Sequence, residues 1–228
     1  MDVLHDRPEH ADLRTQVARF IEREVEPHAL AWDEAGFTPR EVLRTMGALG
    51  WLGLMHPAEF GGAGADMLTN VVFQEALSRS TSGGFVITVL VHTDMASPHL
   101  VNAGTAQQKA RWLPAICRGE CITAVAVTEP DAGSDVAAIR TRARRDGDHY
   151  ILDGTKIFIT NGVHADLYFV AAKTDPTAKG SRGISILMVE TPGLPGYRVG
   201  RVLDKMGFHA QDTAELFFED VRVPVDCL

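Results

Sequence analysis

The sequence predicts an α+β architecture in which an all-helical domain, residues 1–119, is followed by a β-sandwich or barrel domain, residues 120–228. Three observations predict it. Apolar residues recur at helical spacing up to about residue 118, short apolar and alternating runs take over beyond Gly119, and no flexible tract separates the two regimes. At 228 residues and 45% hydrophobic content, the chain can bury one large core or two ordinary ones.

In the helical half, Leu13, Val17, Phe20 and Ile21 fall on one face of a first amphipathic helix, which Pro27 is expected to close. Thr38-Pro39-Arg40-Glu41 combines an N-cap threonine, a proline at the first helical position and a glutamate placed for a capping box, opening a helix toward Gly50. The glycine-rich stretch 57–64 lacks a P-loop lysine and any preceding strand, so it reads as a structural turn. Asp66 is placed to cap the next helix. The longest apolar run, residues 85–91, ends at His92, Thr93 and Asp94, far short of a bilayer span, and reads as a buried helix. Thr105 and Gln108 form a capping box ahead of Trp112, Leu113 and Ile116, and Gly119 supplies the stop.

Beyond Gly119, short strands are expected over residues 122–127, 150–152, 156–160, 167–171 and 184–189. Asp146-Gly147-Asp148 reads as a hairpin turn, and the Pro/Gly-rich stretch 191–196 breaks the pattern again.

Composition narrows the function. A net charge of −8 argues against a general grip on nucleic acid or an anionic membrane. The N-terminus, with Asp2, His5, Asp6 and Glu9, lacks the character of a signal or transit peptide, so a cytoplasmic setting is expected. Cys117, Cys121 and Cys227 give an odd count with one unmatched C-x3-C pair, and the nine histidines have no ligand spacing. The cysteines read as small buried thiols, and no metal site is expected.

Two segments carry chemistry. In the first, Val125 and Ala126-Val127-Thr128-Glu129-Pro130-Asp131-Ala132-Gly133-Ser134-Asp135, a strand ends in a loop of small residues with hydroxyls at both ends. Such a loop lets a ligand approach the backbone, and its N–H groups and hydroxyls suit the polar edges of a flavin or pyrophosphate. Taken alone it equally fits an ordinary strand–loop connection. In the second, Lys156-Ile157-Phe158-Ile159-Thr160-Asn161-Gly162, an aromatic ring and a hydroxyl two residues on share one side of a strand. Phe158 could wall a planar ring whose edge Thr160 bonds; plain core is the alternative.

In this order and spacing, the two segments resemble the acyl-CoA dehydrogenase family. Further matches are Gly50-Trp51-Leu52-Gly53-Leu54 leading to Glu59-Phe60-Gly61-Gly62, Gln107-Gln108-Lys109 with Leu113-Pro114, and Lys205-Met206-Gly207 through Val223-Pro224. The stretch 210–216, AQDTAEL, is most similar to the long-chain members. Relatives often carry tryptophan at the position of Phe158, a change that keeps the aromatic wall.

The resemblance implies an oxidoreductase of fatty acid β-oxidation that binds FAD and an acyl-CoA thioester, with electron-transfer flavoprotein or a similar acceptor as partner and a homo- or hetero-oligomeric assembly. It implies that Val125, Ala126, Val127, Thr128, Glu129, Pro130, Asp131, Ala132, Gly133 and Ser134 line the flavin and its pyrophosphate, and that Phe158, Ile159 and Thr160 hold the ring. Ser134 is also expected to touch the acyl-CoA. The loop 174–183 lies near the CoA moiety in relatives, which makes Lys179, Gly180 and Ser181 substrate-binding candidates, with Arg182 behind them; a solvated turn is the alternative. The family's catalytic base is a glutamate in a C-terminal helical domain, so no catalytic residue is expected in this chain, which reads as a fragment or an incomplete subunit. Glu129 and Asp135 are expected to bond backbone groups rather than act as base. A flavin- or CoA-binding module without catalysis, and a related oxidase or monooxygenase, remain open at this point.

Overall fold

The computed structural model describes residues 7–228. The helical half comprises α1 (Pro8–Phe20), α2 (Ala29–Ala35), α3 (Arg40–Ala48), α4 (Met67–Leu77), α5 (Gly83–Leu90), α6 (Ser97–Ala103) and α7 (Ala106–Cys117). Asp66 caps α4, accepting from the Thr69 N–H at 2.8 Å. Thr105 and Gln108 close the capping box of α7, and Gly119, at φ +67°, turns the chain out of it. The apolar run forms α5, with Phe85 and Val89 fully buried. The glycine-rich stretch is a turn around the 3-10 segment Ala58–Phe60.

Two helix boundaries differ from expectation. Pro27 does not close the first helical segment. The chain runs on through a π-helical turn, Ile21–Val25, and a 3-10 turn, Glu26–His28, into α2. Pro27 sits in the opening positions of that 3-10 turn, where its missing N–H costs nothing. The stop is Gly36, whose φ of +80° suits a residue without a Cβ. Thr38 caps no helix: α3 begins at Arg40 behind Pro39, and the buried Thr38 hydroxyl instead donates to the Ala210 carbonyl of the β half at 2.8 Å.

The β half is one mixed, curled seven-stranded sheet, a half-barrel. Its strands are β1 (Thr123–Ala126), β2 (Arg142–Asp146), β3 (His149–Thr160), β4 (Leu167–Lys173), β5 (Ile184–Glu190), β6 (Tyr197–Val202) and β7 (Thr213–Pro224). The two expected strands at 150–152 and 156–160 are one long strand, β3, whose pairing with β7 slips at Gly154 and again between Lys156 and Ile159. β2 and β3 form the expected hairpin around Gly147-Asp148, with Asp146 opposite His149. β5 runs antiparallel along the whole of one edge of β4. The other edge is shared: β1 pairs in parallel with residues 167–170, and β2 with Lys173.

The two halves share a hydrophobic core in which Val17, Leu52, Phe85 and Leu113 join Leu152, Phe169 and Phe218. Polar ties reinforce it. Arg40 on α3 holds the Asp166 carboxylate through two bonds, 2.7 and 2.9 Å, and donates to the His164 carbonyl. Asp166 also accepts from the Ile122 N–H at 2.8 Å, ahead of β1. His92 lies fully buried between the halves, its Nδ1 accepting from the Thr123 N–H at 3.1 Å and its Nε2 donating to the Ile116 carbonyl at 3.1 Å. Burial pushes its pKa down to about 4. Among the described residues no helix is long and apolar enough to cross a membrane, and no cluster of His, Cys, Asp or Glu could hold a metal. All three cysteines are free thiols.

Candidate functional site

The end of β1 and the end of β3 converge on one cleft of about 210 Å³, lined by Val125, Val127, Thr128, Phe158, Ile159 and Thr160. Val91 and Met95, from the π-helical turn Val91–Ala96 that continues α5, form its remaining wall. The cleft therefore draws on both chemistry-bearing segments and on the helical half. No titratable side chain lines it. The Thr128 and Thr160 hydroxyls have no hydrogen-bond partner among the described residues, and Phe158 is 62% exposed.

A β-bulge creates this arrangement. Regular alternation would put Lys156, Phe158 and Thr160 on one face of β3. Between Lys156, opposite Leu216, and Ile159, opposite Ala214, the strand carries one extra residue. Phe158 takes up the irregularity at φ +60°, a conformation that costs a bulky residue about 1 kcal/mol or more. As a result Lys156 is buried away from the cleft while Phe158 and Thr160 emerge in it, with Ile159, itself buried, along its wall.

Lys156, fully buried, donates to the Val127 carbonyl at 2.9 Å and to Glu129 Oε1 at 2.8 Å. Glu129 also accepts from the N–H groups of Arg140 at 2.5 Å and Thr141 at 3.0 Å. Burial opposes both charges. It holds the Lys156 ammonium below the ordinary lysine range; at Glu129 it is outweighed by the bonds from Lys156, Thr141 and Arg140, which leave that carboxyl below its ordinary value. Beside the pair, the Ile157 N–H donates to the Thr128 carbonyl at 2.9 Å, so two adjacent residues of β3 grip the segment that follows β1.

The other expected site residues divide by burial. Ala126, Glu129 and Ala132 turn their side chains into the protein, Ala132 against Ile139 and Ala171. Pro130, Asp131, Gly133 and Ser134 lie exposed on the loop, where Asp131 pairs with Arg140 at 3.0 Å. The Gly133 and Ser134 amides and the Ser134 hydroxyl bond to nothing among the described residues, leaving a row of free donors. Lys179, Gly180 and Ser181 are exposed outside the cleft; the 3-10 turn Gly180–Gly183 lies against the 3-10 turn Val136–Ala138, just beyond Ser134. Sequence reasoning missed three contributors. Val91 was legible only as the last residue of a buried helix, Met95 lay beyond the end read for that helix, and Lys156 was legible only as the first residue of a motif.

A free aromatic face, two unclaimed hydroxyls, apolar walls and nearby free amides fit a neutral planar ring carrying a polar edge and a phosphate-bearing arm. Comparison with known proteins agrees in kind. Residues 7–120 match the family model described as acyl-CoA dehydrogenase, N-terminal domain, and residues 124–221 the one described as acyl-CoA dehydrogenase, middle domain. The mitochondrial long-chain specific acyl-CoA dehydrogenase of Mus musculus is 44% identical over 223 residues, 96% of this chain and 51% of that protein. The crystal structure of an acyl-CoA dehydrogenase from Geobacillus kaustophilus superposes with a TM-score of 0.93 at 46% identity, over 98% of this chain and 58% of that one. An acyl-CoA dehydrogenase from Bacillus anthracis, solved complexed with FAD, gives 0.91 at 34% identity over 98% of this chain and 38% of its own. This chain spans about half the length of the curated relatives it matches. With two consecutive family models laid over nearly all of residues 7–221, and the cleft built where their segments meet, the chain belongs to the acyl-CoA dehydrogenase family.

Proposed function

We propose that this chain supplies the FAD-binding and much of the acyl-CoA-binding surface of a flavin-dependent acyl-CoA dehydrogenase. The observation that carries the reading is the cleft itself, where free hydroxyls and an exposed aromatic ring from two separate segments meet with no charge among them. FAD held there would supply the acceptor for a hydride leaving the β-carbon of the thioester. Phe158 walls the ring, Val91 and Met95 exclude water from the facing side, and the Thr128 and Thr160 hydroxyls satisfy its polar edge. The Gly133 and Ser134 amides stand ready for the pyrophosphate, and Lys179, Gly180, Ser181 and Arg182 for the phosphates of CoA. Electron-transfer flavoprotein is the proposed acceptor for the reduced enzyme.

Removal of the α-proton needs a positioned base, and the cleft holds none. This chain's residues therefore bind and orient, and the base is proposed to come from residues beyond these 228. The same observation favours a second reading of the isolated polypeptide as a binding module without catalysis. Both are tested by titrating the purified chain with FAD and then assaying acyl-CoA oxidation with an artificial electron acceptor. Saturable flavin binding without turnover above a free-FAD control is the expected result. Turnover would overturn the assignment of the base, and absence of any flavin binding would overturn the cleft.

A further inference from the structure

Lys156 and Glu129 are a buried ion pair that the chemistry of the cleft does not use. Removing two charges from water is costly, and a well-packed apolar pair of similar volume often serves stability as well. What this pair does hold is geometry. The ammonium bonds the residue before Thr128, through the Val127 carbonyl, and the residue after it, through the Glu129 carboxylate. The neighbouring Ile157 amide bonds Thr128 itself. The bulge that follows leaves Phe158 exposed in the cleft while Lys156 stays buried. One side chain thus fixes both walls of the cleft relative to each other.

We propose that Lys156, paired with Glu129, is a positioning residue for the flavin: it sets the separation and orientation of Thr128 against Phe158 and Thr160, and is retained for that registration rather than for stability. The proposal rests on the flavin reading above. It requires that cleft geometry and global stability respond separately when the pair is altered.

The test uses the full chain, with Lys156→Met, Lys156→Arg, Glu129→Gln and the double variant Lys156→Met/Glu129→Gln. Three quantities are read: the midpoint of thermal unfolding without flavin, the dissociation constant for FAD by fluorescence titration, and amide hydrogen exchange at Ile157, Arg140 and Thr141. Lys156→Met, which strands a buried carboxylate, is expected to lower the midpoint, speed exchange at those three amides and weaken FAD at least tenfold. Lys156→Arg should recover part of the affinity. The deciding variant is the double one, which leaves no charge at either position of the pair: it is expected to regain most of the thermal midpoint while its FAD affinity stays at least tenfold weak and its exchange at Ile157 fast. Parallel recovery of midpoint, affinity and exchange in the double variant overturns the proposal, because the pair would then be structural only. Parental exchange and affinity in Lys156→Met overturn it as well. If the unsubstituted chain shows no saturable response to FAD, the flavin reading itself fails and the proposal with it, an outcome told apart from the others because the parent alone displays it.

Discussion

Thr128 and Thr160 stand in the cleft with hydroxyls that no other described group uses, so their worth to the protein lies in what they bind. Replacing either by alanine should leave the unfolding midpoint nearly unchanged and weaken FAD by about 1 to 3 kcal/mol, roughly 5- to 150-fold, measured by titration. Phe158 makes the opposite trade. Its left-handed backbone is strained and its ring is largely exposed, so Phe158→Gly should keep or raise the denaturant midpoint while losing the flavin wall. Phe158→Val, β-branched at a positive φ, should lose stability by about 1 to 2 kcal/mol. Phe158 and Thr160 were legible because residues two apart on a strand share a face. The inward turn of Lys156 was not, since a bulge centred on an aromatic residue leaves no glycine to announce it. The backbone-bonding role read for Glu129 does appear in its bonds to the Arg140 and Thr141 amides, but its lysine partner lies 27 positions on, across the sheet.

Among the elements, helices were the more legible because their caps are local: Asp66, Thr105 with Gln108, and Gly119 all act within a few residues of where they stand. Thr38 and Pro27 misled for the same reason in reverse, one side chain being claimed by a carbonyl 172 positions away and the other being compatible with a helical start. β2, with the sequence RARRD, shows no apolar alternation, and β3 was cut in two by Gly154, so a long strand read as two short ones. The tie between α3 and the sheet should be measurable: Asp166→Asn loses the ion pair with Arg40 and is expected to cost about 1 to 2 kcal/mol in denaturant unfolding, discounted because both side chains remain partly exposed. For the exposed turn Gly180–Gly183, neutralising Lys179 and Arg182 together in a complete enzyme should weaken acyl-CoA but spare an acyl-pantetheine without the nucleotide phosphates, with the difference shrinking in high salt. Equal loss for both substrates would count against a phosphate-binding role.

At the scale of the molecule, the helical and β halves are held by a histidine that the folded state keeps neutral. The folded pKa of His92 is near 4 and its ordinary value 6.5, so between those pH values the unfolded chain binds a proton that the folded chain refuses. Stability from this group is complete above about pH 6.5, falls as the pH drops toward 4, and changes no further below it. The loss amounts to about 3 kcal/mol. Denaturant unfolding at pH 7.5 and 4.5 should show it in the parent and show a smaller difference in His92→Gln, which cannot titrate. The order of a helical region followed by β-structure was legible from periodicity. That the two pack directly against each other was legible from the lack of a linker between them; the residues that tie them were not, because His92, Thr123, Arg40 and Asp166 meet only once the sheet has formed.

The shared edge of β4 has one more consequence. β1 leaves it at Val170 and β2 rejoins it at Lys173, so the 15 residues between, 127–141, depart from and return to the same strand only three positions, about 10 Å, apart. That segment behaves as a cassette, with both ends clamped to a common rail and closure entropy that rises slowly with length. Its outer part beyond the Glu129–Ala132 bridge, 133–138, takes part in no strand pairing among the described residues, which makes this gap in the sheet the natural place to graft a different ligand preference onto an unchanged scaffold.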